Sequence, residues 1–363
     1  MSAGVGNPSM SAVPAMSAVP AAPVTRGIVL GTFMPPHAGH RLLTDYARAW
    51  CDALTIVVLA SGADPIDASQ RTAWLNELSP GSDVVTVALA ASPGEDTEPG
   101  SWIELVRQAL PDGADGFFGT DARDAAIAAA LGLKFYALDP GHAMVMVSSS
   151  AIRDDPMSNW DYIPECVRSA YVRRICVYGP AGTGKSALVE QLAIHYDTAW
   201  AADCSAVDRW AADDSTGAFK PVDDKPLAPQ DMERLGKSQA IIEDALARQA
   251  NRVLICDGGV PGVAMKAYSA CKTCTPVLMQ MAKARRYDQI LLMDLDPAFI
   301  ETAPKKRLQA AQREFERYRQ ALILDDRRYL RLDGDHDTRF RIACDAIDIL
   351  IEQPTRRPPR PDM

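Results

Sequence analysis

Short apolar segments alternate with amphipathic segments in both halves of the chain, and this alternation predicts two α/β domains. In the first half, apolar runs of strand length are separated by segments with helical periodicity. This pattern is typical of a parallel sheet covered by helices on both faces. The predicted strands are 28–30, 54–59, 84–88, 116–118 and 135–138, and the predicted helices are 41–50, 69–78, 102–110 and 123–131.

The second half repeats the alternation and predicts another doubly wound parallel sheet. Its predicted strands are 175–178, 199–202, 253–256, 289–293 and 329–332, and its predicted helices are 185–196, 229–249, 305–324 and 339–352. Ligands bind at the carboxyl ends of the strands in such sheets. The segments that directly follow the first strand of each half are therefore the first places to look for a site.

A polar, proline-containing connection at 147–168 separates the two halves. We therefore expect one domain at 25–165 and a second at 166–354. Residues 1–24 consist largely of Met, Ser, Ala, Val and Pro, and the unit Met10-Ser-Ala-Val-Pro-Ala15 recurs at once. This composition predicts a disordered tail, and the lack of any basic residue before Arg26 argues against a targeting peptide. Residues 355–363 are rich in proline and arginine, which predicts a flexible tail.

Size and charge narrow the functional classes. A chain of 363 residues is long enough for two domains. The net charge of -9 argues against non-specific binding to nucleic acid or to an anionic membrane, so anions must be held at local sites. Residues 1–25 are also too few for a helix-turn-helix in front of the first domain. No apolar run approaches the roughly 20 residues of a membrane span.

The eight cysteines are scattered rather than densely spaced, which is typical of a protein of the reducing cytoplasm. Cys271 and Cys274 form one CxxC pair, but no second pair stands at zinc-ligand spacing. We therefore expect buried thiols rather than a metal or redox site. Small molecules are the expected partners, and the sequence leaves a homo-oligomer open.

The segment Gly31-Thr-Phe-Met-Pro-Pro-His-Ala-Gly-His40 lies between the first predicted strand and the first predicted helix. Two imidazoles three residues apart at a helix N-terminus supply hydrogen-bond donors where unpaired backbone amides already favour an anion. A second set of phosphate ligands occurs near the end of the domain, in Val147-Ser-Ser-Ser-Ala-Ile-Arg153. Hydroxyls and a guanidinium of this kind grip phosphate. Together the two stretches predict a triphosphate site.

These motifs resemble, in order and spacing, those of the HxGH nucleotidyltransferase superfamily. Their surroundings are similar to the bifunctional NadR-type family, in which a nicotinamide mononucleotide (NMN) adenylyltransferase is fused to a ribosylnicotinamide kinase. The resemblance covers about residues 26–352. Further matching segments are Ser69-Gln-Arg-Thr-Ala-Trp-Leu75, Trp102-Ile-Glu-Leu-Val-Arg107, Phe118-Gly-Thr-Asp121 and Asn159-Trp-Asp-Tyr-Ile-Pro164.

The resemblance implies a Rossmann-like first domain that transfers AMP from ATP to NMN with Mg²⁺. It implies catalytic roles for His37, His40 and Arg153, and ATP contacts from Gly31, Thr32, Phe33, Ser148 and Ser149. It also implies substrate contacts from Arg71 and from Trp102, which lies near the nicotinamide in this interpretation. A tryptophan on a helix is equally often part of the core. Two positions depart from the family pattern: Thr32 stands where a basic residue is usual, and Pro99 replaces the first tryptophan of a pair.

The second domain contains Gly179-Pro-Ala-Gly-Thr-Gly-Lys-Ser186, which satisfies GxxxxGK[ST] between a predicted strand and a predicted helix. In such a P-loop the backbone wraps the phosphates, Lys185 reaches the β- and γ-phosphates and Ser186 binds Mg²⁺. Asp257, at the end of an apolar strand, is the predicted acidic partner of the metal. The predicted ATP-binding residues of the loop are Gly179, Gly182, Thr183, Gly184, Lys185 and Ser186.

A nucleoside kinase also needs a carboxylate near the acceptor hydroxyl and a basic lid. Asp203 and the segment Lys305-Lys306-Arg307 are the candidates, although a solvated acid and a charged surface turn fit them equally well. This domain departs further from the family. Asp257-Gly258-Gly259 replaces Asp-Thr-Asp, the usual arginine is absent near Ala206, and the lid sequence becomes Phe299-Ile-Glu-Thr-Ala-Pro-Lys305.

The expected function is NAD salvage, in which the kinase domain makes NMN from nicotinamide riboside and the first domain makes NAD from NMN. Two alternatives remain open. In the first, the two domains transfer their groups to other acceptors, which are another phosphate ester in the first domain and another nucleoside, or none, in the second. In the other, the second domain is a non-catalytic ATP sensor.

Overall fold

The computed structural model describes residues 24–91, 100, 102–139, 144–204, 210–212, 219–221 and 227–353. The predicted tails lie outside these residues, except that Val24 is buried and begins the first strand. The chain divides into two compact units between Ser149 and Ser150. The functional boundary at 165/166 that the polar connection indicates stays a prediction.

The first unit is a five-stranded parallel sheet with the strand order β3-β2-β1-β4-β5. Because β1 lies in the middle and its neighbours extend the sheet in opposite directions, its carboxyl end is the point at which ligands bind in doubly wound sheets. The elements are β1 (Val24–Gly31), α1 (Ala38–Trp50), β2 (Cys51–Ser61), α2 (Ala68–Leu78), β3 (Asp83–Leu89), α3 (Ile103–Gln108), β4 (Gly116–Gly119), α4 (Ala122–Leu131) and β5 (Lys134–Ala137).

Each face of this sheet carries its own apolar core, which explains the continuous apolar runs of its strands. One core packs α1 against the sheet through Leu43 and Ala47. The other packs α3 and α4 against the opposite face through Val106 and Ile127. Helix α5 (Ser149–Asp154) follows at the division between the units.

The second unit is another five-stranded parallel sheet, with the order β12-β11-β6-β10-β7. A short antiparallel pair, β8 and β9, stands apart from it. The elements are α6 (Glu165–Arg168), β6 (Arg173–Tyr178), α7 (Lys185–His195), β7 (Trp200–Ala201), β8 (Trp210–Ala212), β9 (Phe219–Pro221), α8 (Pro229–Ala247), β10 (Val253–Asp257), α9 (Gly259–Cys271), α10 (Pro276–Ala284), β11 (Gln289–Met293), α11 (Pro297–Thr302), α12 (Lys305–Leu324), β12 (Leu330–Leu332) and α13 (His336–Glu352).

Helices cover both faces of the second sheet, as the pattern predicts. Helices α7 and α13 pack on one face through Leu188 and Ile347, and α12 packs on the other through Phe315 and Tyr318. Helices α8, α9 and α10 form a further apolar cluster among themselves. Two of these helices, α9 and α10, are absent from the sequence-based prediction. Among the residues that the structure describes, none of the helices is both long and apolar enough to cross a lipid bilayer.

Candidate functional site

The two loops that the sequence predicts to bind phosphate lie at the carboxyl ends of central strands, one in each unit. The first is the loop from β1 to α1. His37 is the N-cap of α1, and its Nδ1 accepts a hydrogen bond from the Gly39 amide at 3.1 Å. His40 Nδ1 accepts one from the His37 amide at 3.2 Å, which completes a reciprocal capping box. The centres of the two rings are 3.8 Å apart.

This capping determines the proton positions on both imidazoles. A nitrogen that accepts a hydrogen bond carries no proton, so in the neutral ring the proton sits on Nε2. Burial, followed by the neighbouring His37, lowers the pKa of His40 well below its ordinary value. His40 is therefore neutral at pH 7. Each ring caps the helix with Nδ1 and retains Nε2–H as the donor that a phosphate oxygen requires.

The buried side chain of Arg71 supports this loop. Its side chain is fully buried in α2 and forms an ion pair with Asp64 at 2.7 Å. One guanidinium nitrogen donates to the carbonyl oxygens of Thr32 at 2.6 Å and Leu59 at 3.1 Å. The arginine therefore holds the turn after β1 in place, and a direct role in substrate binding stays a prediction.

The other predicted phosphate ligands of the first unit lie around the same loop. Phe33 is buried and places its ring 4.9 Å from the His40 ring, so its side chain supports the imidazole. Ser149 donates from Oγ to the carbonyl oxygen of Pro35 at 3.0 Å. Ser148 directly precedes it, and Gly31 ends β1. Arg153 lies four residues after Ser149 in α5, beyond the division of the chain, and its contact with phosphate stays a prediction.

Trp102 lies at the N-terminus of α3 and is buried in the apolar core. Its indole Nε1 has no hydrogen-bond partner among the described residues. The ring of Trp102 is therefore part of the apolar core. Pro99 and the residues from 92 to 99 lie outside the described residues, and contact of Trp102 with a nicotinamide stays a prediction.

The second arrangement is the P-loop between β6 and α7. Gly182 and Gly184 have φ values of +79° and +85°, a conformation that side chains other than glycine rarely adopt. An added Cβ at Gly179 would lie 3.0 Å from the Met293 carbonyl oxygen. The loop therefore requires its glycines, and it leads into the N-terminus of an eleven-residue helix.

Lys185 and Thr183 both donate to the carbonyl oxygen of Pro180, at 2.8 and 2.9 Å. Burial lowers the pKa of Lys185 below its ordinary value, although Asp257 favours the charged form. Among the described residues, the ammonium group thus donates to one neutral acceptor inside the loop. A phosphate oxygen is a stronger acceptor for an ammonium group than a neutral carbonyl oxygen.

Ser186 donates from Oγ to Asp257 Oδ2 at 2.6 Å. The other carboxylate oxygen, Oδ1, is buried and has no hydrogen-bond partner among the described residues. Burial raises the pKa of Asp257 above its ordinary value. An unpartnered carboxylate oxygen beside a serine hydroxyl fits the Mg²⁺ ligands predicted here, because Mg²⁺ takes few protein ligands and completes its shell with phosphate and water. Within the described ranges, no group of three or more His, Cys, Asp or Glu side chains is placed to hold a metal.

Asp203 lies just beyond β7 and is 5% exposed. It forms an ion pair with Lys266 of α9, and an added Cβ at Gly258 would lie 3.4 Å from its Oδ2. The structure therefore places Asp203 beside the turn that follows Asp257, and its role in a kinase reaction stays a prediction. Lys266 was not predicted as a site residue, because a lone lysine in a helix that the pattern did not predict gives no signal.

A cavity of about 310 Å³ adjoins the P-loop. Arg339 of α13 is buried against it and donates to the carbonyl oxygens of Thr183 at 3.1 Å and Leu295 at 2.9 Å. Arg339 was not predicted as a site residue either. It lies at the start of a predicted helix, and the helical periodicity can indicate that it faces the protein interior. The cavity is lined by Gly182, Thr183, Gly184, Met293, Asp296, Phe299, His336 and Arg339.

The predicted lid residues begin α12. Lys305 and Lys306 lie in its exposed first turn, and the Arg307 guanidinium lies 5.4 Å from the centre of the ring of Phe299, which lines the cavity. The eight cysteines all lie in the described part of the chain, and none of them forms a disulfide. Cys271 donates to the carbonyl oxygen of Leu227, and Cys274 is buried.

Comparison with known proteins shows which proteins this chain resembles. A family model described as an AAA domain matches residues 174–339. The trifunctional NAD biosynthesis/regulator protein NadR of Escherichia coli (strain K12) is 23% identical over 342 residues, which are 87% of this chain and 81% of the relative. Crystal structures of NadR protein in complex with NR, and in complex with NAD and AMP-PNP, superpose with a TM-score of 0.68 at 19% identity. Each match covers 92% of this chain and 98% of the other.

The chain is similar to NadR proteins over most of its length, in sequence and in fold. The two parallel sheets and their order along the chain are the expected NadR-type fold, with the HxGH loop in the first sheet and the P-loop in the second. Of the departures from the NadR-type pattern, Gly258 and Gly259 lie in the turn beside Asp203.

Proposed function

We propose that this NadR-type protein makes NAD from nicotinamide riboside in two ATP-dependent steps. The second unit phosphorylates the riboside to NMN, and the first unit transfers AMP from ATP to NMN and releases pyrophosphate. The observation that carries the proposal is the presence in one chain of both an Nε2-donating histidine pair and a P-loop with a serine–aspartate pair. The relatives support the substrates, since a NadR protein binds NR and another NadR structure holds NAD and AMP-PNP.

In the first unit, catalysis is positioning and charge stabilisation without a covalent intermediate. The Nε2–H groups of His37 and His40 and the N-terminus of α1 stabilise the charge that develops on the α-phosphate and on the departing pyrophosphate. Neutral imidazoles suit this role, because a donor is needed and no proton has to be removed. Arg153 and Ser148 supply the second set of ligands.

In the second unit, the P-loop amides and Lys185 bind the β- and γ-phosphates. Lys185 exchanges the Pro180 carbonyl oxygen for phosphate, and the adjoining cavity accommodates the nucleoside of ATP. Ser186 and Asp257 would hold Mg²⁺, which neutralises phosphate charge when bound. Asp203 accepts a hydrogen bond from the acceptor hydroxyl and orients it toward the γ-phosphate.

Product assays test each step separately. Wild-type protein with NMN, ATP and Mg²⁺ should form NAD, and His40→Ala or Arg153→Ala should abolish that activity in folded protein. With nicotinamide riboside and ATP it should form NMN, and Lys185→Ala should abolish that activity. Soluble wild-type protein that forms no NAD from NMN would contradict the proposal.

A second candidate function is favoured by the Gly258–Gly259 turn. The hydroxyl of Tyr287 occupies the space where a side chain at position 259 would lie, and Asp203 is already paired with Lys266. A different acceptor for the kinase unit fits this altered pocket. Phosphorylation of another nucleoside, with none of nicotinamide riboside, would favour it, and ATP binding without turnover of any nucleoside would indicate a sensor.

A further inference from the structure

A fully buried carboxylate lies behind the P-loop site. Glu243 of α8 has no exposed surface, and it accepts hydrogen bonds from Arg285 Nε at 2.9 Å and from Gln239 Nε2 at 3.1 Å. The Tyr287 hydroxyl lies 3.1 Å from both of its oxygens. A buried charge must be satisfied in this way to be tolerated. The partners of Glu243 are therefore fixed, and two of them extend to the kinase site.

Gln239 links Glu243 to the turn that carries Asp203. Its amide nitrogen donates to Glu243, so its oxygen faces the other way and accepts from the Cys204 amide at 3.0 Å. Cys204 directly follows Asp203 in the chain. The backbone beside the predicted catalytic carboxylate is thus held by a side chain that Glu243 orients.

Tyr287 links Glu243 to the turn that follows Asp257. Its hydroxyl donates to Glu243 and accepts from the Val260 amide at 3.2 Å. Val260 is the second residue of α9, so its amide is one of the donors that a helix start leaves without an intrahelical partner. An added Cβ at Gly259 would collide with the same hydroxyl. Tyr287 therefore acts as the cap of α9 and defines the path of the Gly258–Gly259 turn.

Stability alone does not explain the ion pair between Glu243 and Arg285. Replacing a buried ion pair by apolar residues of similar volume is often neutral or stabilising. The two hydrogen-bonded links of Glu243 end on the backbone of turns that follow neighbouring strands, β7 and β10. Those turns bear Asp203 and Asp257, the two acids assigned to the acceptor hydroxyl and to Mg²⁺.

We infer that Glu243 is a positioning residue, which holds the Asp203 turn and the Gly258–Val260 turn at a fixed separation through Gln239 and Tyr287. The inference rests on the proposed kinase function of the second unit. A displacement of a reacting group by about 1 Å can lower the rate roughly a hundredfold. A common buried anchor for both turns therefore matters more for the rate of phosphoryl transfer than for the binding of ATP. Loss of a link should therefore lower kcat for the acceptor reaction and leave the KM for ATP nearly unchanged.

The test uses the full chain with Tyr287→Phe, Gln239→Leu and a control, Asp244→Asn. Asp244 binds the same Arg285, and also Arg174, but among the described contacts it reaches neither turn. Tyr287→Phe and Gln239→Leu should each lower kcat for riboside phosphorylation about tenfold or more, as expected for misplacement of a reacting group. Asp244→Asn should reduce thermal stability and keep the wild-type kcat. Formation of NAD from NMN by the first unit should be unchanged in all three.

Hydrogen exchange gives a readout that does not need activity. Tyr287→Phe should accelerate exchange at the Val260 amide and leave Cys204 protected, and Gln239→Leu should do the reverse. Wild-type kcat in Tyr287→Phe, or unchanged exchange at Val260, would overturn the inference. If the wild-type protein phosphorylates no nucleoside, the proposed kinase function fails, and exchange at the two amides still decides whether Glu243 holds the turns.

Discussion

His37 and His40 use their two ring nitrogens for different purposes, and substitutions can separate these purposes. Asparagine places an oxygen where His37 Nδ1 lies and is a preferred N-cap, but it has nothing at Nε2. His37→Asn should therefore keep the wild-type stability and lose roughly a hundredfold or more in kcat for NAD formation from NMN. His37→Ala should lose the activity and also about 0.5–2 kcal/mol of stability. Urea unfolding and NAD assays of both variants check this, and wild-type activity in His37→Asn would contradict the role of Nε2.

The lowered pKa of His40 predicts how the stability of the first unit depends on pH. The unfolded histidine has a pKa of about 6.5, and the folded one titrates well below it. Because the unfolded state takes up the proton first, the stability that is present above pH 6.5 is lost as the pH falls toward the folded pKa. The loss approaches about 1.4 kcal/mol for each pH unit in this window.

His40→Gln is the matched variant for this prediction. Glutamine at the third helical position also accepts from the N-cap amide, so the capping box is kept without a titratable group. The unfolding transition of the first unit is identified as the one that His37→Ala shifts. In urea unfolding at pH 7.5 and 5.0, the free energy of unfolding for this transition should fall less in His40→Gln than in the wild type. An equal loss in the variant and the wild type would assign the pH dependence to other groups.

The sequence predicts which residues of the first unit are candidate site residues, but it does not predict the direction of their side chains. The HxGH spacing identifies His37 and His40, whereas the nitrogen that caps the helix depends on backbone geometry that no spacing encodes. The same difficulty affects Arg71. The sequence predicts a basic residue near the substrate, and in the fold that guanidinium is turned inward and holds the Thr32 carbonyl oxygen.

At the scale of elements, α13 positions the P-loop through Arg339. Arg339→Ala would leave the buried carbonyl oxygens of Thr183 and Leu295 without this donor, at a cost of about 1–3 kcal/mol for each. Because Thr183 belongs to the loop, we also expect a roughly tenfold rise in the KM for ATP of the kinase reaction, equivalent to about 1.4 kcal/mol. Arg341→Ala changes an exposed arginine of the same helix and should affect neither quantity. An unchanged KM in Arg339→Ala would show that α13 does not shape the ATP site.

Hydrophobic periodicity predicted all ten strands of the two large sheets. The signal is clearest in central strands such as β6 and β10, because burial on both faces leaves continuous apolar runs. Helix α9 was missed for a physical reason. Its first turn contains Gly259, Pro261 and Gly262, which indicate a loop, yet proline is tolerated at the start of a helix. Packing against α8 and α10 through Val263 and Ala267 then outweighs the weak propensity. Lys266 and the Tyr287 link were missed together with this helix.

For the whole molecule, the P-loop lies in one compact unit and the His37–His40 loop in the other, and this separation predicts complementation between inactive variants under the proposed function. Given nicotinamide riboside and ATP, His40→Gln protein should accumulate NMN, and Lys185→Ala protein should form neither NMN nor NAD. A mixture of the two variants should form NAD, because NMN released by one molecule is a substrate for the other. Chromatography of the products over time checks this, and Lys185→Ala protein supplied with NMN serves as the control for an intact first unit. A mixture that accumulates NMN without forming NAD, while that control is active, would mean that NMN made by the second unit does not reach the first unit of another molecule.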